Sequence, residues 1–162
     1  MKIKDIITAK SVASALACDM AEVGETVLPL ELYEKFHDVK SYFVFHTRGY
    51  SEFEMNLSCD AMFRDIWRRL TDVNLGFFPA KFALYAGHDT SMTSFLSCLN
   101  AKNITSFPPF AANLIIELYD DDMIYLKYND EPLMTQDCPG NCTMTTFLDV
   151  LQSRFVHNLD EE

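Results

Sequence analysis

Apolar positions recur at helical spacing up to residue 70 and give way to strand-like runs after residue 79. Val12, Leu16 and Met20 share one stripe, which predicts a helix over residues 6 to 22, ended by Gly24. Pro29 opens a second helix, Leu30 to about His46, with Leu32, Phe36, Val39 and Phe43 at helical spacing, and Gly49 breaks it. A third runs from a Ser51 cap to Leu70, with Phe63, Ile66, Trp67 and Leu70 as its apolar face. No internal repeat or low-complexity segment interrupts this order.

Past Pro79 the pattern changes. Phe82-Ala83-Leu84-Tyr85-Ala86 is short and uncharged, which predicts a strand buried on both faces. Gly87-His88-Asp89-Thr90 follows at once. Met92, Phe95, Leu96 and Leu99 then start a helix that Asp89 or Thr90 can cap. Residues 113–119 and 123–128 flank Asp120-Asp121-Asp122, a β-hairpin signature. A last helix is expected from about Thr143 to His157. The expected class is α/β: a helical subdomain over residues 1–75, then β-α-β-β-α over residues 79–162.

Composition adds bounds. The 162 residues suit one domain or part of a larger one, and 49% hydrophobic residues are enough for a core. No uncharged apolar run approaches the ~20 residues of a membrane span. A net charge of −11 argues against nucleic acid or anionic lipid as a non-specific partner, since both select basic surfaces. It leaves room for a local basic pocket and a phosphorylated substrate.

Five cysteines, Cys18, Cys59, Cys98, Cys138 and Cys142, cannot all pair within one chain. Pro139-Gly140 favours a tight turn between Cys138 and Cys142, so a local disulfide is preferred to two free thiols there. Cys59 and Cys98 sit amid helical periodicity and read as core or surface residues rather than nucleophiles. His37, His46 and His157 fall in expected helices without a ligand-like pattern, which argues against a metal-dependent enzyme. Asn56, Asn103 and Asn141 head Asn-x-Ser/Thr triplets, candidate N-glycosylation sites that tilt the reading toward an oxidising secretory compartment. Met1-Lys2-Ile3-Lys4 resembles the charged start of a signal peptide. Asp5 and Lys10 interrupt the stretch that should follow, so an ordinary helix is favoured and no convincing signal peptide is present.

His88 and Asp89 are the candidate chemistry. The turn from the end of a strand into a helix is where open α/β sheets bind ligands. Helix N–H groups and the helix dipole suit an anion such as phosphate. An imidazole at His88 can donate to a phosphate oxygen, and Asp89 can hand a proton to a leaving alkoxide. Gly87 lets the backbone approach the ligand. The alternative from local chemistry alone is structural: Asp89 as a helix cap and His88 as a partly buried histidine.

Leu84-Tyr85-Ala86-Gly87-His88-Asp89-Thr90 resembles the second signature of the histidine acid phosphatases. Pro108-Pro109-Phe110-Ala111 and Glu117-Leu118-Tyr119 are similar to the family's segment after that helix. Pro132-Leu133, the run Cys138 to Thr143, and Phe147 resemble its C-terminal end, while Cys18-Asp19 and Leu28-Pro29 resemble its helical subdomain. The resemblance covers roughly residues 15 to 155. It implies the C-terminal half of a phosphoglycerate-mutase-like (histidine phosphatase) fold. It implies Asp89 as proton donor, His88 and Gly87 at the phosphate, no cofactor, and a phosphomonoester or inorganic phosphate as ligand. It also implies a secreted, lysosomal or endomembrane location.

The sequence departs from the family where its nucleophile belongs. The family's attacking histidine lies in an Arg-His-Gly-x-Arg-x-Pro segment, and no Arg-His dipeptide occurs here. Arg48-Gly49 follows His46-Thr47 in the wrong order. Asn113 stands where many relatives carry a cysteine to pair with the one matched by Cys18, which leaves Cys18 free. The expectation is an inactive fragment that begins inside a larger phosphatase. The alternative is a non-catalytic module that binds a phosphorylated ligand, or docks with a missing N-terminal half or with another copy of itself.

Overall fold

A computed structural model of the chain describes residues 12, 14–18, 20–22, 24, 28–46, 52–77, 80–101, 104 and 106–157. All of the described residues between 12 and 22 are helical, and the rest of the expected helix over 6–22 lies outside them. Gly24 ends this stretch in the left-handed region (φ 73°), its N–H on the Met20 carbonyl at 3.1 Å. Helix α1, Leu30–His46, starts directly after Pro29, whose carbonyl accepts from Leu32 and Tyr33. Helix α2, Glu52–Asn74, runs one turn beyond the expected Leu70, and its expected cap Ser51 lies outside the described residues.

Helix α3 is Asp89–Cys98. The hairpin follows as β1, Leu114–Leu118, and β2, Met123–Tyr128, paired antiparallel from Leu114 opposite Tyr128 to Leu118 opposite Ile124. Asp122 takes the left-handed conformation (φ 62°) that the turn requires, and its short polar side chain tolerates it. Two short strands, β3 at Glu131–Pro132 and β4 at Asn141–Thr143, both pair with β2, so β2 is the centre of the sheet. Helix α4, Met144–Gln152, closes the fold. Thr143 caps it by accepting from the Thr146 N–H, as expected, though the helix stops short of His157. The whole is the expected α/β class, helices followed by a mixed helix-and-sheet unit.

Strand alternation builds the core. Ile124, Leu126 and Tyr128 of β2 point inward and meet Phe63 of α2, Phe95 and Leu96 of α3, and Phe147 and Leu151 of α4. The Phe63 and Phe95 rings meet edge to face with centroids 4.9 Å apart. Asp60 and Arg64 of α2 hold the final described turn by bonding the Val156 N–H (2.9 Å) and carbonyl (2.8 Å). Burial alone would raise the Asp60 carboxyl, but Arg64 and the Val156 N–H more than offset it and lower it.

Two disulfides reinforce this core. Cys138–Cys142 spans the Pro139-Gly140 turn, with Gly140 at φ 81°. Cys59–Cys98 joins α2 to the end of α3, a pairing that helical periodicity did not reveal. Cys18 is free and exposed.

One expectation is corrected. Residues 82–86 were expected as a strand buried on both faces, yet they join no sheet among the described residues. Phe82 is 77% and Leu84 80% exposed. A strand in a parallel sheet owes its burial to neighbours on either side and helices above and below. Its own residues supply the apolar surface and not the cover.

Truncating Phe63 removes one of the two largest fully buried side chains among the described residues, the other being Phe147. Phe63→Ala is expected to destabilise the fold by about 3–5 kcal/mol, read from urea unfolding. Replacing Cys59 and Cys98 together by Ser opens a loop with a sequence separation of 39. By chain entropy this loses about 4 kcal/mol, against about 2 for the Cys138–Cys142 pair, whose separation is 4.

Candidate functional site

His88 precedes the first helical residue of α3. With φ −107° and ψ 168° its backbone is extended, so His88 is the N-cap, and Asp89 is already the first residue of the helix. The expected cap, Asp89 or Thr90, is therefore corrected to His88. An N-cap is fixed by backbone angles, and the carbonyl of His88 accepts the first helical bond, from Met92 at 3.0 Å. The N–H of His88 meets the Ser91 hydroxyl at 3.5 Å. Thr93 and Ser94 bond back to the Asp89 and Thr90 carbonyls at 2.8 and 3.0 Å, the i−4 pattern open to Ser and Thr inside a helix.

Gly87 eases a close approach here. A Cβ at this position would lie 3.3 Å from the Ser91 Cβ, tighter than ordinary contact. A side chain at residue 87 would therefore require Ser91 to give by a few tenths of an ångström where the chain turns into α3.

Both His88 and Asp89 are exposed. They stand at the carboxyl end of the uncovered 82–86 segment, where the sequence analysis expected the end of a buried strand. The helix start beneath them is a place where backbone N–H groups lack intrahelical partners and the dipole favours negative charge. Together an imidazole, a carboxyl and a helix N-terminus can hold an anion and exchange a proton with it.

The segment leading to this turn touches helix α2 through Tyr85. Its hydroxyl donates to Asp65 Oδ2 at 2.6 Å. Arg69 donates to the same oxygen at 2.8 Å and Arg68 to Oδ1 at 2.9 Å. The Arg69 guanidinium lies 5.9 Å from the Tyr85 ring centroid. The Tyr85 hydroxyl and the Arg69 guanidinium hold the Asp65 carboxyl down at about 2. Burial and the Asp65 hydrogen bond push the Tyr85 phenol up. Sequence reasoning missed this cluster. The Asp65–Arg69 spacing of four residues was a readable helix pair, but nothing local tied Tyr85 to it.

The remaining candidates fall elsewhere. Cys138 and Cys142 are bonded to each other at the β3–β4 turn. Asn141 is exposed at the start of β4, opposite Tyr125. Asn56 lies within α2 and its amide oxygen is buried with no hydrogen-bond partner. Asn103 lies outside the described residues. Among the described residues no group of His, Cys, Asp and Glu is placed to hold a metal ion. No helix among them is long and apolar enough to cross a membrane. The two disulfides fit an extracellular or lumenal compartment.

Comparison with curated proteins finds no match. Residues 33–136 match the sequence profile of the histidine phosphatase superfamily (branch 2). The matched stretch is well over half of the chain and contains α2, the Tyr85–Asp65 contact, the His88-Asp89 turn and the β-hairpin. This chain belongs to the histidine phosphatase superfamily, branch 2.

Proposed function

We propose that the chain is the His-Asp half of a histidine acid phosphatase, able to hold phosphate at residues 87–89 and unable to turn over a phosphomonoester by itself. The observation that carries this is an uncovered apolar segment running directly into the Gly87-His88-Asp89 helix start. Residues 1–75 belong to the helical subdomain on this reading, and residues 79–162 to the C-terminal part of the α/β domain.

In the intact family, as the resemblance of residues 84–90 implies, a histidine attacks phosphorus and the phosphorus–oxygen bond to the leaving group breaks. Asp89 gives its proton to the departing alkoxide. His88 donates to a phosphoryl oxygen that gains charge as the bond breaks. Water then attacks the phosphohistidine and returns phosphate. No metal is called for, because a cationic pocket does the electrostatic work.

The 162 residues contain no Arg-His dipeptide. Removing a nucleophile that acts in concert with its partners removes most of the rate enhancement. The complement is a strand-bearing segment with the Arg-His-Gly motif, which would pair with residues 82–86 and cover Phe82 and Leu84. A module that binds a phosphorylated ligand without hydrolysing it is the second reading, favoured by the same missing dipeptide. A homo-oligomer formed across the same segment is a third arrangement, visible as a dimer by light scattering.

The purified chain is expected to give no hydrolysis of an aryl phosphate above buffer at pH 5. Robust hydrolysis that His88→Ala abolishes would overturn the proposal. Secretory passage, which the family resemblance implies, gives a second check. Expressed through a secretory pathway, the chain is expected to carry a glycan at Asn141 and none at Asn56. Endoglycosidase treatment followed by mass measurement, with Asn141→Gln as the control, decides between them.

A further inference from the structure

Residues 80–88 cross from α2 to α3 without the usual means of staying in place. Among the described residues, no backbone hydrogen bond joins 80–87 to the rest of the fold. Apolar burial does not hold the segment either, since Phe82 and Leu84 lie in solvent. The His88 N–H on the Ser91 hydroxyl, at 3.5 Å, holds only the final step into the helix.

The exception is Tyr85. Its hydroxyl reaches Asp65 at 2.6 Å, the length of a charge-assisted O–H to carboxylate bond. Arg68 and Arg69 grip that carboxylate from their own positions on the helix, so the acceptor is fixed before Tyr85 arrives. The guanidinium of Arg69 also faces the ring, so two contacts orient one side chain. Tyr85 precedes His88 by three residues, too few for much slack.

We propose that Tyr85 is a positioning residue: through its hydrogen bond to Asp65 it lets helix α2 set where His88 and Asp89 stand. The proposal rests on the reading of residues 87–89 as a phosphate site. It gives the helical subdomain a direct hold on the phosphate-facing turn. A shift of about 1 Å in such a group lowers a rate by about 100-fold, so a single tether at this point matters. The acceptor also suits an acidic compartment. The Asp65 carboxyl, lowered to about 2, stays ionised above that pH, and the link is lost only as pH falls through that value.

The test uses the whole chain, labelled with nitrogen-15, as wild type, Tyr85→Phe, Asp65→Ala and the double variant. Backbone order parameters are measured at residues 86–89, with inorganic phosphate titrated as the probe. In Tyr85→Phe the order parameters at 87 and 88 are expected to fall below about 0.6. Phosphate affinity is expected to drop roughly tenfold, while the urea midpoint and the amide shifts of Phe63, Phe95 and Leu126 stay put. Asp65→Ala should do the same, and the double variant should be no worse than either single one, because both remove one link. Unchanged order parameters in Tyr85→Phe would overturn the proposal. So would a loss of order matched by a fall in the urea midpoint, which marks a merely structural residue. If wild type shows no phosphate-induced shift at 87–89, the site reading fails while the tether is still judged by the order parameters.

Discussion

Helix α3 is the member on which the rest depends, because it carries the His-Asp turn at one end and the core at the other. Phe95 and Leu96 bury its middle against Phe63 and β2, and Cys98 bonds its last turn to Cys59 of α2. At the other end the cap His88 and the first residue Asp89 are exposed. The helix is therefore clamped where it does no chemistry and open where it could. This polarity follows from composition: Phe95, Leu96 and Leu99 are apolar, whereas Gly87 to Ser91 are small or polar. The Tyr85–Asp65 contact ties the segment that leads into the open end to helix α2.

Much of the architecture was legible because its signals are local. Pro29 before α1, Gly24 after the first helical stretch and Thr143 before α4 each act through their own backbone geometry or hydrogen-bonding group. The hairpin was readable from alternating apolar runs around three aspartates. What escaped was non-local. The Cys59–Cys98 bond depends on how α2 and α3 cross, and periodicity says only that both cysteines lie on apolar faces. The cap was misplaced because side-chain preference favoured Asp89 or Thr90, while the extended backbone of His88 decides the matter.

The uncovered segment over 82–86 is the informative mismatch. Its sequence carries the composition of a central strand, and its surroundings here do not provide one. Local chemistry and global structure agree nearly everywhere else in this chain, so a disagreement confined to the approach to His88 points to function. The site is legible only in part for the same reason. Gly87, His88 and Asp89 announce an anion-binding helix start, but a pocket needs walls, and walls come from elements far along a chain or on another one. An exposed apolar strand edge is also a hazard for self-association, which gives the segment a physical reason to be paired in its working state.

Hydrogen exchange at residues 82–86 tests this account most directly. The amides would be followed with and without a separately made polypeptide bearing the Arg-His-Gly half of a branch 2 phosphatase. Alone, these amides should exchange at the rate of an open chain. With the complement they should slow by orders of magnitude as a sheet ladder forms around them. Exchange that stays fast while the two polypeptides demonstrably bind would contradict the account, because the complex would then form without completing the strand that delivers His88 and Asp89.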